Sequence, residues 1–231
     1  MIILKYQKRD HKKIIHAVAL ALKHGKVVAY PTDTSYGLAV DVTNSIAIKK
    51  FYKIKERTPK KPVHIVVSSI AQAKKFTQWN RVAQKLATKF WPGPLSLVLP
   101  VALGVEKQQF VKWFSAGTKT IGLRVPNNQI ALDIVKQLKN PITATSANPS
   151  AHLSGGFDSY SADDIIKQFS KQKYKPDIII DAGKLPKRKP STLIKISHFV
   201  QGDGYEILRK GPVSKNQLDD TLKPILKNLK K

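Results

Sequence analysis

Apolar and polar positions along the chain follow helical and extended patterns in turn. An amphipathic stretch at 11–24, ended by Gly25, predicts a helix, and the apolar run at 27–30 predicts a buried strand directly after it. Apolar residues at helical spacing within 44–55 predict a second helix, for which Asn44 is the expected N-cap. The first quarter of the chain is therefore predicted to be helix, strand and helix.

The same succession continues to the end of the chain. Ser161, with Asp163 and Asp164 in the first turn, predicts the start of another helix. Further helices are predicted at 70–77, 81–90, 129–138 and 214–229, and strands at 63–67, 95–99, 120–125, 142–145, 178–180, 192–196 and 206–208. Strands that alternate with helices predict an α/β fold, and the close strands near the end indicate a mixed sheet.

Composition excludes several kinds of site. The 231 residues contain no cysteine, which excludes disulfides, thiolate metal sites and a cysteine nucleophile, and fits a reducing compartment. The six histidines show no metal-ligand spacing, so we expect no zinc site and assign no metal ligand. An apolar run approaching the roughly 20 residues that span a bilayer is missing, as is a signal peptide. We therefore expect a cytoplasmic protein without a membrane partner.

The chain is strongly basic, with 41 Lys and Arg against 15 Asp and Glu and a net charge of +26. Two interpretations stay open, namely a polyanionic partner such as tRNA or double-stranded RNA, and lysine used simply as surface filler. Six of the 41 cations are arginines. Since the planar guanidinium binds carboxylate and phosphate in a bidentate way that lysine cannot copy, these few arginines carry more information than the total charge.

Residues 31–38 (Pro-Thr-Asp-Thr-Ser-Tyr-Gly-Leu) place three small hydroxyl side chains and the carboxylate of Asp33 after a predicted strand. They form either a ligand-binding turn or an ordinary turn whose side chains bond to their own backbone. Asp33 is a candidate to assist a metal, although a turn residue is the simpler interpretation. A Walker A loop and a G-x-G-x-x-G motif are both missing from the sequence.

Two polar pairs have a spacing of two residues. Lys55 and Arg57 would project into one site if the chain is extended there, with an anion between them. Alternatively they are cations at a helix end that interact with the helix dipole. Ser146 and Asn148 follow a predicted strand, at the kind of position where α/β folds bind ligands.

Further arginines and hydroxyls adjoin later strands, at Arg124, at 190–192 and at Arg209. Together with the two pairs they describe a pocket rich in cations and hydroxyls, suited to a polyphosphate and a second, carboxylated substrate. The segment 184–190 is predicted to be a mobile, solvated loop or, alternatively, a flap that meets phosphates.

The chain resembles the threonylcarbamoyl-AMP synthases of the YrdC family from about residue 10 to residue 212. Seven motifs occur in the family's order. They are 31–38, the pair Lys55 and Arg57, 91–95 (Trp-Pro-Gly-Pro-Leu), 120–126, the pair Ser146 and Asn148, 190–192 and 208–212. The likeness is to the short, single-domain form of the family.

The resemblance implies a twisted mixed parallel/antiparallel sheet with flanking helices around a basic concave groove. It also implies the formation of threonylcarbamoyl-adenylate and pyrophosphate from ATP, L-threonine and bicarbonate, with Mg²⁺ on the phosphates. Transfer proteins that modify tRNA would then use the product. We expect a YrdC-like catalytic domain at 1–212 and a C-terminal helical extension at 213–231.

The resemblance also assigns roles residue by residue. The catalytic positions are Lys55, Arg57, Ser146 and Asn148. Threonine would contact Thr34, Arg124, Ala144 and Ser191. ATP would contact Arg57, Lys61, Thr120, Ser146, Ser154 and Arg209.

Departures from the family and alternative functions remain. Some members have a histidine near threonine where this chain has Val66, with His64 two residues earlier on the same strand face. One alternative is a non-enzymatic RNA-binding module of the same fold. The other is the carbamoyl-adenylate domain of a larger hydrogenase-maturation protein. The expected absence of flanking zinc-finger and acylphosphatase segments counts against it.

Overall fold

The computed structural model describes residues 1–105, 109–150, 157–196 and 204–226. Strands and helices alternate through these ranges, as predicted. The strands are β1 (Ile2–Lys5), β2 (Val28–Pro31), β3 (Tyr36–Ala39), β4 (Ile65–Val66), β5 (Leu95–Pro100), β6 (Thr120–Arg124), β7 (Ile142–Thr143), β8 (Thr145–Ser146), β9 (Ile178–Asp181), β10 (Thr192–Ile196) and β11 (Tyr205–Arg209). The helices are α1 (His11–Lys23), α2 (Ser45–Lys55), α3 (Ile70–Lys74), α4 (Arg81–Phe90), α5 (Gln109–Ser115), α6 (Gln129–Leu138), α7 (Ala162–Phe169) and α8 (Lys215–Leu226), with a short 3₁₀ turn at Lys8–Asp10.

The strands form two mixed sheets, which confirms the predicted α/β class. The first sheet has the order β1-β9-β2-β3-β8, and the second has the order β11-β10-β5-β6-β4-β7. In the first, β9 pairs in parallel with β1 and β2, whereas β3 pairs antiparallel with β2 and β8. In the second, β4 is parallel to β6 and β10 to β5, and the remaining pairs are antiparallel.

Two hydrophobic cores hold the sheets in place. The larger lies against the second sheet, where Leu97, Leu123 and Ile65 are fully buried. The smaller packs α1 and α6 on the first sheet around residues such as Val18 and Ile134. Because side chains alternate across a strand, the residues between these buried leucines on β5 and β6 face the other side of the second sheet.

Several predicted elements need correction. The single strand predicted at 142–145 is two short strands, since β7 pairs with β4 in the second sheet and β8 pairs with β3 in the first. Strand β3 was not predicted, because it follows the polar turn directly and contains a glycine. Its Gly37 lies under the ring of Tyr30, where a Cβ would come within 2.8 Å of Tyr30 Cε1. Strand β1 and helix α5 were also missed.

The helix α7 begins with a capping box, as the sequence predicted for Ser161. The Ser161 hydroxyl accepts from Asp164 N at 3.1 Å, and the Asp164 carboxylate accepts from Tyr160 N and Ser161 N. Replacing Ser161 by alanine leaves the Asp164 N–H without this partner. We expect a loss of about 1 kcal/mol in the free energy of unfolding, measured by urea denaturation.

The matched control is Ser170→Ala at the other end of α7, where the exposed hydroxyl donates to Lys167 O. We expect that variant to change stability by less than about 0.5 kcal/mol. An equal loss in both variants would contradict a specific role of the cap.

Candidate active site between the two sheets

A cleft of about 330 Å³ opens between the turn that joins β2 to β3 and the exposed face of the second sheet. The turn contributes Thr32, Thr34 and Ser35 to one wall, and β8 contributes Ser146. The sheet contributes His64 next to β4, Ser96 on β5, Arg124 on β6 and Arg209 on β11. The cleft is therefore lined mainly by hydroxyls and guanidinium groups, as the sequence predicted.

The β2–β3 turn is held by the hydroxyl of Thr32. Its Oγ1 accepts from Thr34 N at 3.1 Å and from Ser35 N at 3.3 Å, and donates to Ser35 O at 2.7 Å. The interpretation as an ordinary turn is therefore confirmed for Thr32, and ligand binding by the turn stays a prediction. Thr32 bonds to local backbone, and this fixes the Thr34 hydroxyl on the cleft wall.

Arg124 lies deep in the cleft and is 7 % exposed. Its Nη2 donates to Asp33 Oδ1, and its Nη1 approaches Thr34 Oγ1 at 3.4 Å. Its Nε is buried without a hydrogen-bond partner among the described residues. An N–H of this kind is costly to leave unpaired, so it favours a ligand with a carboxylate or phosphate oxygen here.

Lys55 is buried behind the cleft wall instead of projecting into the cleft. Its ammonium group donates to Ser146 O at 2.7 Å, Asn148 O at 2.6 Å and Asn148 Oδ1 at 3.1 Å. Burial, and then the neighbouring charge of Arg57, lowers the pKa of Lys55 to about 7, with Asp158 acting in the opposite direction. Oxygens of this kind can only accept hydrogen bonds, so they favour the ammonium form.

The prediction that Lys55 and Arg57 share the face of an extended segment is wrong. Lys55 is the last residue of α2, and Glu56 turns the chain in the left-handed conformation, with φ 48° and ψ 45°. The backbone therefore sends Lys55 behind the 146–148 segment and Arg57 onto the cleft wall. Asn148 likewise faces the interior, where its Oδ1 accepts from the Ser146 hydroxyl at 2.5 Å.

Arg209, at the end of β11, and Arg57, which follows α2, both line the cleft. Arg209 donates from Nε and Nη2 to Ser191 O at 3.1 and 2.9 Å, and Ser191 Oγ contacts Ser96 Oγ at 2.8 Å. Arg57 donates from Nη2 to Pro62 O at 2.8 Å, and its Nε has no partner among the described residues. Burial lowers the pKa of each arginine, yet both stay charged at neutral pH.

The segment 184–190 reaches the cleft through Arg188 and Pro190. Arg188 Nη1 donates to Asp33 O at 3.5 Å, so a second cation besides Arg124 adjoins the turn that carries Thr34. Asp158 also lines the cleft. Sequence reasoning missed this carboxylate, because it precedes the helix cap at Ser161 in a stretch with no periodic pattern.

The cleft brings together seven of the residues that the sequence assigned to a site. They are Thr34, Arg57, Arg124, Ala144, Ser146, Ser191 and Arg209. Lys55 and Asn148 support this wall from behind. Lys61 is exposed, and Thr120 bonds to Thr118 at the outer end of β6, so neither contributes to the wall. Ser154 lies outside the described residues.

The described residues contain neither a metal-binding cluster nor a membrane-spanning helix. Within the described ranges, no group of three His, Asp or Glu side chains is arranged to hold a metal ion. None of the helices in that same part of the chain is both long and apolar enough to span a bilayer.

Comparison with known proteins gives a consistent result. A family model named Sua5/yciO/yrdC and described as telomere recombination matches residues 20–211. A putative threonylcarbamoyl-AMP synthase of Methanocaldococcus jannaschii is 34 % identical over 196 residues, which cover 84 % of this chain and 86 % of the relative. The threonylcarbamoyl-AMP synthase of Bacillus subtilis is 30 % identical over 92 % of this chain, which spans 57 % of the relative's length.

Among solved structures, Sua5 of Pyrococcus abyssi in complex with L-threonine superposes with a TM-score of 0.83. It is 30 % identical, and the alignment covers 96 % of this chain and 61 % of the Sua5 chain. The present chain therefore spans somewhat more than half of two of these longer proteins.

Proposed function

Because the chain belongs to the Sua5/YciO/YrdC family, we propose that it is a threonylcarbamoyl-AMP synthase. It forms threonylcarbamoyl-adenylate and pyrophosphate from ATP, L-threonine and bicarbonate. The observation that best supports this is Arg124, whose buried Nε–H is free for a ligand beside the Thr34 hydroxyl and between two further arginines. One guanidinium group suits an amino-acid carboxylate, and the others suit a polyphosphate.

The chemistry needs placement and charge neutralisation more than a covalent intermediate. The amine of threonine and bicarbonate first give a carbamate, whose oxygen attacks the α-phosphorus of ATP as pyrophosphate leaves. Transfers of this kind are accelerated chiefly by holding the reactants in line and by stabilising charge on the phosphate oxygens. Arg57 and Arg209 provide that charge, and Ser146 provides a hydroxyl held in place by Asn148.

The residues that line the cleft keep the roles that the resemblance implies. Thr34, Arg124, Ala144 and Ser191 contact threonine, and Arg57, Ser146 and Arg209 contact ATP. Lys55 and Asn148 act by fixing the segment that carries Ser146. Lys61 and Thr120 would reach ATP outside the cleft wall, and Ser154, which lies outside the described residues, stays a proposed ATP contact.

A magnesium ion fits this site in one respect. Mg²⁺ is commonly held by one or two carboxylates together with substrate phosphates, and Asp158 lies on the wall near Arg209. Asp158 would therefore hold the ion, which would neutralise charge on the phosphates.

The proposed product is an activated threonylcarbamoyl group, so the protein would act in the cytoplasm with transfer proteins that pass the group to tRNA. Residues 1–212 would form the catalytic domain. The extension 213–231 would dock through α8, where Leu218 and Leu222 are fully buried in the main core.

The test is pyrophosphate release by the purified chain, which we expect only with ATP, threonine and bicarbonate together. Arg57→Ala removes one of the charges that face the phosphates, and we expect pyrophosphate release to fall by about 100-fold. The matched control is Arg9→Ala, which removes an exposed arginine outside the cleft. Absence of pyrophosphate with all three substrates would overturn the assignment.

A non-enzymatic RNA-binding module is less well supported, because the cations in the cleft are arginines bonded to its own wall. A direct RNA surface would show tRNA binding that weakens steeply with salt. If Arg57→Ala leaves that binding unchanged, the RNA surface and the cleft are separate.

A further inference from the structure

His64 lines the cleft between the three arginines already described. It directly precedes β4, and its backbone oxygen accepts from Ala144 N at 2.7 Å. Strand β6, which carries Arg124, lies beside it in parallel. The imidazole is therefore attached to a part of the backbone that strand pairing holds in place.

The imidazole of His64 occupies the space that a side chain at Gly122 would fill. Gly122 on β6 lies under the ring, and a Cβ at that position would come within 2.8 Å of both Cγ and Nε2 of His64. Contacts this short do not form, so any larger residue at Gly122 would displace the ring from its place in the cleft. Gly122 and His64 are thus a matched pair.

The ring has both nitrogens available. Within the described residues, none of the hydrogen bonds involves Nδ1 or Nε2 of His64, whereas the rings of His11, His16 and His24 each contact a polar atom. His64 is half-buried and lines the cleft, so ring nitrogens without a protein partner there are placed to meet a ligand.

The surroundings of His64 make its imidazole a weak base. Burial, and then the charges of Arg209, Arg57 and Arg124, lower the pKa of His64 to about 4. The other ionisable groups on the cleft wall are Tyr30, Tyr36, Asp158 and Arg188, and Asp33 is paired with Arg124. At neutral pH the ring is neutral and carries a free lone pair.

We propose that His64 is the catalytic base that takes the proton of the threonine amine, and that the phosphates of the nucleotide raise its basicity. This inference rests on the proposed function. Threonine enters as an ammonium ion, and the imidazole lone pair takes one proton from it. The freed nitrogen pair then forms the bond to the carbon of bicarbonate, a second proton of the amine passes to the hydroxyl oxygen, and the C–O bond breaks to release water. The products are the carbamate, water and an imidazolium ion.

The arginines make activation of the amine depend on the nucleotide. Three guanidinium charges around His64 oppose a fourth positive charge on the ring, so an imidazolium ion is unfavourable in the empty cleft. A bound triphosphate places several negative charges among the same arginines and offsets them. The ring then becomes a competent proton acceptor once ATP is in place, which couples amine activation to the presence of the second substrate.

The direct test is an NMR titration of the His64 ring, with inorganic tripolyphosphate as the probe. Its signal is assigned by comparison with His64→Gln or, should that variant not fold, by its proximity to the Gly122 α-protons. We expect the pKa of the ring to rise by at least one unit at saturating tripolyphosphate. An unchanged pKa overturns the proposal, as does a lack of tripolyphosphate binding, and neither result depends on catalytic activity.

Kinetics test the same inference independently. We expect His64→Gln to lower kcat by about 100-fold and to remove the acidic limb of the pH–rate profile, while His16→Gln on the exposed face of α1 serves as the control. Gly122→Ala should show the same loss through displacement of the ring. A wild-type kcat and pH profile in His64→Gln overturn the inference, whereas a wild-type chain that releases no pyrophosphate overturns the proposed function instead.

Discussion

Replacing Arg124 by lysine is expected to raise the KM for threonine by about 100-fold while the KM for ATP changes little. The guanidinium group donates from Nη2 to Asp33 and from Nη1 to Thr34 Oγ1, and its Nε–H, without a partner among the described residues, is left for a ligand carboxylate. Lysine keeps the positive charge beside Asp33 but has no planar fork that holds Asp33 and a ligand carboxylate at the same time. A charge-assisted hydrogen bond contributes about 1.5–3 kcal/mol, and each 1.4 kcal/mol is about tenfold in affinity.

The measurement is pyrophosphate release with threonine and ATP varied in turn. The exposed Arg81→Lys at the start of α4 is the matched control and should leave both KM values unchanged. Equal rises in the two KM values would show that Arg124 does not distinguish the amino acid from the nucleotide, and would contradict its role as the partner of the threonine carboxylate.

A second variant at this position separates binding from folding. Arg124→Ala leaves Asp33, whose side chain is 5 % exposed, as a buried carboxylate without its ion pair. We expect a loss of about 3–5 kcal/mol in unfolding free energy, which Asp33→Asn in the same chain should partly restore.

Replacing Lys55 by methionine is expected to reduce both stability and pyrophosphate release. The change keeps the length of the side chain but leaves Ser146 O and two oxygens of Asn148 without their common donor. Since a buried group left unpaired costs about 1–3 kcal/mol, we expect the unfolding free energy to fall by about 3 kcal/mol or more. The Ser146 hydroxyl then loses its fixed place, and pyrophosphate release should fall by at least about 100-fold.

The control for Lys55→Met is Lys49→Met, an exposed position on the same helix. Stability is measured by urea denaturation and turnover at saturating substrates, so that reduced binding does not confuse the comparison. A variant with wild-type stability but no turnover would show that Lys55 acts on the substrates directly instead of through the 146–148 segment.

Elements with a strong periodic pattern could be predicted from the sequence with accurate bounds. Helix α6 (Gln129–Leu138) and strand β10 (Thr192–Ile196) form over the predicted residues, and Asn44 and Ser161 cap their helices as expected. In these segments the local preference and the tertiary environment agree. The pattern alone could not place β3 or divide the strand at 142–145, because both depend on pairing with distant strands.

The site shows the same division between local and distant information. Spacing alone marked Ser146 and Asn148 as a pair. That Ser146 lines the cleft while Asn148 supports it from behind depends on Lys55, which is 91 and 93 positions away from them. The few arginines proved informative, since Arg57, Arg124, Arg188 and Arg209 line one cleft. Asp158 could not be found, since a single carboxylate in an irregular stretch has no local signal that separates it from a surface residue.

The division of residues 142–146 between the two sheets has a mechanical consequence. Ala144 is the single residue that joins β7 in one sheet to β8 in the other, and its N–H is tied to His64 O. Further bonds join the sheets beside it, since Thr143 Oγ1 accepts from Val40 N and donates to Leu38 O, so the two sides of the cleft are held together along this short segment. The 184–190 segment, by contrast, brings Arg188 and Pro190 to the cleft without strand pairing, so this part of the wall is not held by the two sheets.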